Sequence, residues 1–266
     1  MIEAVLFDLG DTIIHFGKMD TEALFANGAE ETYRYLKSLG KKLPDYETYR
    51  KANKRSIRRA YLWSKVKRRE FNSMDVVQRV LKRLRVSVSD KEMAELAWLW
   101  YSPCVRSGKV EPGTHEMLAA LRDAGVKLAI VSNTFIPGYV LDRHLQHEGL
   151  LDFFPVRIYS SNVRYQKPHK KIFRIAMQQI GVEPSRAIFI GDLLKKDIKG
   201  ARRCGMRTVW KPAHHESHPA ETKHKADIRI RQITQLPEIL RGMGWRAKTF
   251  NGRAIAGAAK EVGLRK

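Results

Sequence analysis

The sequence predicts an α/β fold: a parallel sheet with helices on both faces, interrupted by one inserted all-helical unit. Three observations carry this. Val5–Phe7, Lys127–Val131 and Ala187–Ile190 are short apolar runs of the length and composition of strands buried on both faces. From Pro112 onward such runs alternate with amphipathic helical stretches, the pattern of a parallel sheet. Between the first run and Pro112 lie roughly a hundred residues with helical spacing, few glycines and no convincing strand.

In order along the chain, Leu24/Phe25, Ala29, Thr32/Tyr33 and Leu36 recur at helical spacing, and Gly40 can end that helix. Tyr46, Tyr49, Asn53, Ile57 and Ala60/Tyr61 share one face of a second helix, with Arg50, Lys51, Lys54, Arg55, Arg58 and Arg59 on the other. Asn72 or Ser73 can cap a third helix reaching Leu84, and Ser89-Asp90-Lys91-Glu92 is a capping box opening a fourth through Trp100. The expected helices that follow are Glu116–Ala124, stopped by Gly125, then Ile136–His147, and one from Pro168 as first helical residue to Ile180, stopped by Gly181. Short helices are expected at Ile198–Cys204 and Leu236–Gly242. Pro155–Tyr159, Met206–Trp210 and Asp227–Ile230 complete the strands. Residues 245–266 carry Gly, Ala and basic residues with few large apolar ones and read as a loose basic tail. The expected division is a core of 1–14 and 110–244 around a helical unit at 15–109.

The chain has 266 residues, of which 43% are hydrophobic, enough for real cores. Cys104 and Cys204 stand a hundred positions apart, suggesting neither a disulfide scaffold nor a zinc site, so a reducing cytoplasm is the expected location. No secretory leader and no membrane-length apolar run is legible. Fifty Lys+Arg against 28 Asp+Glu give a net charge of +22, which draws anionic substrates and polyanions without specifying a fold.

Three buried runs end in polar residues: Asp8, Ser132-Asn133 and Asp192. Parallel strands of one sheet bring their carboxyl ends to one edge, so these groups can converge, and Lys167 before Pro168 can reach the same edge. The set suits phosphoryl chemistry. Asp8 can attack phosphorus, Asp8 and Asp192 are hard oxygen ligands for Mg²⁺, and Ser132 with neighbouring N–H groups can hold phosphate oxygens. Lys167 can neutralise the charge between carboxylate and anionic substrate, and Asp197 can orient Lys167 or bind metal-bound water.

These segments resemble, in order, the four motifs of the haloacid dehalogenase superfamily: Phe7-Asp8-Leu9-Gly10-Asp11-Thr12, Val131-Ser132-Asn133-Thr134, Lys167-Pro168 and Gly191-Asp192-Leu193-Leu194-Lys195-Lys196-Asp197. The likeness covers 1–14 and about 110–242 and implies a Rossmann-like core, with the helical insert in the place of the family's helical cap. It implies Asp8 as nucleophile. It implies Mg²⁺ held by Asp8, the carbonyl of Gly10 and Asp192 with Asp197 in support, and phosphate held by Ser132, Asn133 and Lys167. The activity it implies is Mg²⁺-dependent hydrolysis of a small phosphorylated metabolite through an aspartyl-phosphate.

The sequence departs from that pattern at one place. Family phosphatases carry a second Asp two residues after the nucleophile as general acid/base; Gly10 stands there, and Asp11 follows where the family has glycine. Losing a positioned acid slows catalysis by about 10²–10⁴-fold, less for good leaving groups such as acyl or sugar-1-phosphates. Asp11 is the alternative acid/base. Dehalogenation is disfavoured, since the family's dehalogenases have an aromatic at that place.

Residues 50–69 hold ten Lys/Arg and no acid, either a solvated helix face or a polyanion surface. The second functional expectation is therefore a catalytically weak relative that binds nucleic acid through this face and the tail. His214, His215, Glu216 and His218 are a metal-like composition in an expected loop. Lys195-Lys196 reads as charge compensation or helix surface.

Overall fold

The computed structural model describes residues 1–17, 20–67, 69–213 and 225–243. In chain order the core elements are β1 (Ala4–Phe7), β2 (Ile14–His15), β3 (Lys109–Val110), β4 (Lys127–Ser132), β5 (Val156–Tyr159), β6 (Ala187–Gly191), β7 (Arg207–Trp210) and β8 (Ile228–Arg229). Six of them form one parallel sheet in the order β5-β4-β1-β6-β7-β8. The chain runs outward from β1 through β4 to β5, then returns to β6 on the other side of β1. The strand order therefore reverses beside β1, where open α/β sheets hold their ligands.

Side-chain alternation divides the core. Val5 and Phe7 enter one apolar cluster; Ala4 and Leu6 enter the other, against Ile172, Phe173 and Ala176. Those three lie on α8 (Lys170–Ile180). The other face is covered by α5 (Thr114–Asp123), α6 (Gly138–His147) and α10 (Leu236–Gly242), with Leu118, Leu141 and Leu240 buried. Two short helices, α7 (Ser160–Val163) and α9 (Lys199–Arg202), follow β5 and a π-helical turn at Leu194–Ile198.

Between β2 and β3 lie α1 (Thr21–Ser38), α2 (Tyr46–Lys67), α3 (Ser73–Arg83) and α4 (Asp90–Ser107). Their starts are chemically marked. Asp20 accepts the N–H groups of Glu22 and Ala23, Asn72 that of Met74, and Ser89 with Glu92 closes the expected capping box. Ser73 is thus the first helical residue and not the cap. At Gly28 a Cβ would lie 2.5 Å from the carbonyl oxygen of Trp100, so glycine lets α1 and α4 meet backbone to backbone. That approach sets Phe25 edge-on to Trp100 at 5.2 Å.

The segment meets the sheet domain at several places, among them α4 against α6, where the Tyr101 hydroxyl lies 3.1 Å from His144 Nδ1. Its two chain crossings pair with each other as an antiparallel ribbon, Ile14 opposite Val110 and His15 opposite Lys109. The turn before α3 also docks: Ser73 N–H donates to the Phe135 carbonyl, and Ser160 Oγ donates to the buried Glu70 carboxylate at 3.0 Å.

Some expectations need correction. The ribbon is two residues long on each side, too short to show a period of two, and the sequence reading found no strand there. Pro168 does not open α8: the ring nitrogen of His169 accepts the N–H of Lys171 at 3.1 Å, making His169 the cap and Lys170 the first helical residue. The helix expected at Ile198–Cys204 is a π-helical turn followed by the single turn of α9. The His214, His215, Glu216, His218 group and the tail at 245–266 lie outside the described residues.

Candidate active site

Register brings the predicted residues together. Phe7 stands level with Ile130 and Ile190. Asp8, Ser132 and Asp192 therefore all fall within two residues beyond one row across β1, β4 and β6. All three are buried.

Lys167 comes from the loop before α8 and reaches the same place. Its Nζ lies 2.7 Å from Asp8 Oδ1 and 2.7 Å from Asp197 Oδ1. The Asn133 side chain fixes the backbone behind it: Oδ1 accepts the Lys167 N–H at 2.7 Å and Nδ2 donates to the Lys167 carbonyl at 3.0 Å. With Oδ1 and one Nδ2 hydrogen engaged, the Asn133 side chain has one amide N–H left to donate beside that of its main chain. Asp197 is fully buried in the π-helical turn, and its Oδ2 accepts the N–H of Leu193 at 2.9 Å. Gly191 makes room for it, because a Cβ there would lie 2.5 Å from the Asp197 Cβ. Trp210 Nε1 donates to the Asp192 carbonyl at 2.7 Å and steadies the end of β6.

Asp8, Asp192 and Asp197 can each turn one carboxylate oxygen to a point where all lie within 4.8 Å of one another. Burial opposes the charge on Lys167, but Asp197 and Asp8 outweigh it and raise its pKa, so it stays an ammonium. Three carboxylates against one ammonium leave excess negative charge. Burial, then the charges of Asp8 and Asp197, push Asp192 up to about 9, and its buried Oδ1 has no hydrogen-bond partner. Hard oxygen donors, surplus negative charge and an orphaned carboxylate oxygen fit a divalent cation such as Mg²⁺.

A cavity of about 400 Å³ opens from this cluster toward α1 and α4. Ser132, Asn133, Gly10 and Asp11 share its polar end. Asp11 has a left-handed backbone, φ 55°, and its Oδ1 accepts the Phe16 N–H at 3.2 Å. Phe16, Phe25, Trp100 and Phe135 give it an aromatic wall, with Phe16 close to Gly10, and Lys196 also lines it. Sequence reasoning missed this wall, since helical aromatic spacing reads equally as core.

It also missed a second buried cluster. Lys211 Nζ lies 3.1 Å from Glu111 Oε2 and 3.1 Å from His15 Nε2, joining the end of β7 to both arms of the ribbon. Lys211 directly follows β7, but β7 reads Arg-Thr-Val-Trp and nothing local marks His15 or Glu111 as its partners.

The basic face of α2 lies elsewhere. Arg55, Arg58, Arg59 and Arg83 border a groove between α2 and α3 that shares no residue with the cavity beside Asp8. The polyanion expectation rests on that surface and on the tail outside the described residues, and nothing in the structure or in the proteins compared supports it. No helix among the described residues is long and apolar enough to cross a membrane.

Comparison with known proteins agrees with the geometry. The family model for haloacid dehalogenase-like hydrolases matches residues 2–205. A glyceraldehyde 3-phosphate phosphatase of Methanopyrus kandleri is 28% identical, aligned over 91% of this chain and 98% of its own. Its counterpart in Pyrococcus abyssi is 30% identical over 79% of this chain and 81% of its own. The crystal structure of a phosphatase of this family from Thermococcus onnurineus superposes with a TM-score of 0.57 at 29% identity, covering 91% of this chain and 99% of that one. The chain therefore belongs to the haloacid dehalogenase-like hydrolases and, by its likeness to these relatives, is a phosphoric monoester hydrolase.

Proposed function

We propose that this protein is a Mg²⁺-dependent phosphatase that hydrolyses a small phosphate ester through an aspartyl-phosphate on Asp8. The observation that carries the reading is the buried cluster itself, with Lys167 Nζ 2.7 Å from both Asp8 and Asp197 and the Asp192 oxygen left unpartnered. In this reading residues 1–14 and 110–244 are the catalytic core and 15–109 the cap, and the free cysteines Cys104 and Cys204 suit a reducing cytoplasm.

An Asp8 carboxylate oxygen attacks phosphorus while the Lys167 ammonium offsets the repulsion between carboxylate and phosphate. The Ser132 hydroxyl and the main-chain N–H of Asn133 hold phosphate oxygens. The Asn133 side chain and Asp197 are positioning groups that keep Lys167 aimed. Asp8, the Gly10 carbonyl and Asp192, supported by Asp197, would hold Mg²⁺. When bound, that ion supplies positive charge to the phosphoryl oxygens. Water then cleaves the acyl phosphate and restores the carboxylate.

The test is release of phosphate from p-nitrophenyl phosphate and acetyl phosphate with Mg²⁺. Wild type turns both over, and Asp8→Asn loses activity by about 10⁴-fold or more. Equal rates in the two proteins would rule the mechanism out.

A further inference from the structure

The cavity beyond the carboxylates carries information about the leaving group. One wall is aromatic. Phe25 meets Trp100 edge-on at 5.2 Å, and Trp100 meets Phe135 at 6.2 Å. Phe16, Phe25, Trp100 and Phe135 are only half-buried although they sit inside the cleft, and all four line the cavity. Among the described residues, the helical segment contributes no charged side chain to this wall. Lys167 is already committed to Asp8 and Asp197. A leaving group carrying its own carboxylate or second phosphate would lose hydration here with, among the described residues, only the exposed Lys196 in compensation. A flat apolar ring meets edges and faces suited to it.

The same cavity is poor in proton donors. Burial pushes the Cys104 thiol up to about 11. Burial raises the Tyr101 phenol further, and its hydroxyl pairs with His144 Nδ1 at 3.1 Å. The Asp11 carboxylate is held in its own turn by the Phe16 N–H. Asp8 and Asp197 are paired with Lys167, and Asp192 sits with them at the proposed metal site. An alkoxide would have to depart unprotonated, which is slow; a phenolate departs readily.

Building on the phosphatase reading above, we propose that the ester taken by this site is an aryl monophosphate whose aryl group carries no charge, its ring against Phe16, Phe25, Trp100 and Phe135. Asp8 oxygen bonds to phosphorus as the phosphorus–aryl oxygen bond breaks. Both electrons of that bond go to the oxygen, and the released phenolate takes its proton from solvent. Water attacks the aspartyl-phosphate, giving inorganic phosphate and free Asp8.

The experiment compares phenyl phosphate, benzyl phosphate, glyceraldehyde 3-phosphate and phosphoserine with Mg²⁺. Phenyl phosphate should exceed glyceraldehyde 3-phosphate and phosphoserine in kcat/KM by about 10²-fold or more. Benzyl phosphate keeps the ring but leaves as an alkoxide, so its KM should match that of phenyl phosphate while its kcat falls about 10²-fold. A Cβ added at Gly10 would make only ordinary contact with the Phe16 ring, 3.6 Å from Cε2, so Gly10→Asp can be accommodated. It should raise the ratio of benzyl to phenyl turnover by about tenfold or more. Phe25→Ala, with Trp100→Leu as a second variant, should raise KM for phenyl phosphate relative to acetyl phosphate by about tenfold. Glyceraldehyde 3-phosphate or phosphoserine equalling phenyl phosphate, or benzyl matching phenyl in kcat, would overturn the inference and leave the phosphatase reading standing. No turnover of any ester, acetyl phosphate included, would overturn both.

Discussion

Lys167 and Lys211 are both buried, 3% and 0% exposed, in one molecule, yet their surroundings give them opposite character. Lys167 stands between Asp8 and Asp197 with Asp192 beside them, and the acids raise its pKa. Lys211 has one close carboxylate, Glu111, and one imidazole, His15, and burial lowers its pKa against the pull of Glu111. The first cluster holds more negative charge than it can settle and so has an appetite for cations. The second is balanced. Burial opposes the Glu111 charge, but the His15 hydrogen bond and Lys211 prevail and hold that carboxyl down to about 2. The count of acids around a buried amine thus separates reactive chemistry from structural pairing.

The contrast breaks most visibly in a pair of variants. Lys167→Met should cut phosphate release by about 10³-fold, since charge aimed at the transferring phosphoryl group is lost. Lys211→Met should leave the activity of folded molecules largely intact while lowering unfolding free energy by about 3–5 kcal/mol, as Glu111 loses its partner. Urea unfolding beside steady-state rates reads both. Loss of turnover in Lys211→Met without loss of stability would erase the distinction.

Metal sharpens the same comparison. Mg²⁺ at about 100 times its dissociation constant should stabilise the protein by about 2.7 kcal/mol, visible as a rise in Tm. Asp192→Asn should remove most of that rise, whereas Lys211→Met should keep it from a lower starting Tm.

The smallest effect lies outside both clusters, at His144 beside Tyr101. It is fully buried, and burial holds its pKa down to about 4 from an ordinary 6.5. As pH falls below 6.5 the unfolded chain takes a proton that the folded one refuses. The stability from neutral His144 is therefore complete above 6.5 and drains away down to about 4. Denaturation at pH 7 and 4.5 should differ by about 2 kcal/mol from this group, and His144→Gln should flatten that difference. The Glu111 contribution, with its depressed pKa of about 2, is lost only in a lower window, from about 4.5 downward.

The sheet was legible because buried strands leave unbroken apolar runs, and the site was legible because parallel strands deliver their ends to one rim. Asp8, Ser132 and Asp192 needed no distance information to be grouped. Lys167 was found by its place before a helix, although the helix opens at Lys170 behind a His169 cap. Less could be read where contacts join unrelated stretches. Nothing local in His15, Glu111 or Lys211 shows that they meet. Whether Phe25 and Trp100 fill a core or face a void depends on how closely α1 and α4 approach, which Gly28 sets through a backbone contact. Asn133 was placed correctly at the rim, but its side-chain partner, the main chain of Lys167, lies 34 residues away.

The two-stranded ribbon has a consequence for how this architecture can vary. Ile14–His15 and Lys109–Val110 run side by side, so the polypeptide leaves the sheet and rejoins it at a single doorway. The excursion between them has its ends already closed, and the entropy of closing a longer or shorter one changes only with the logarithm of its length. The helices beyond the doorway can be traded for others while the rim carboxylates stay where β1, β4 and β6 put them, so the wall a ligand meets is free to diverge on an unchanged reactive floor.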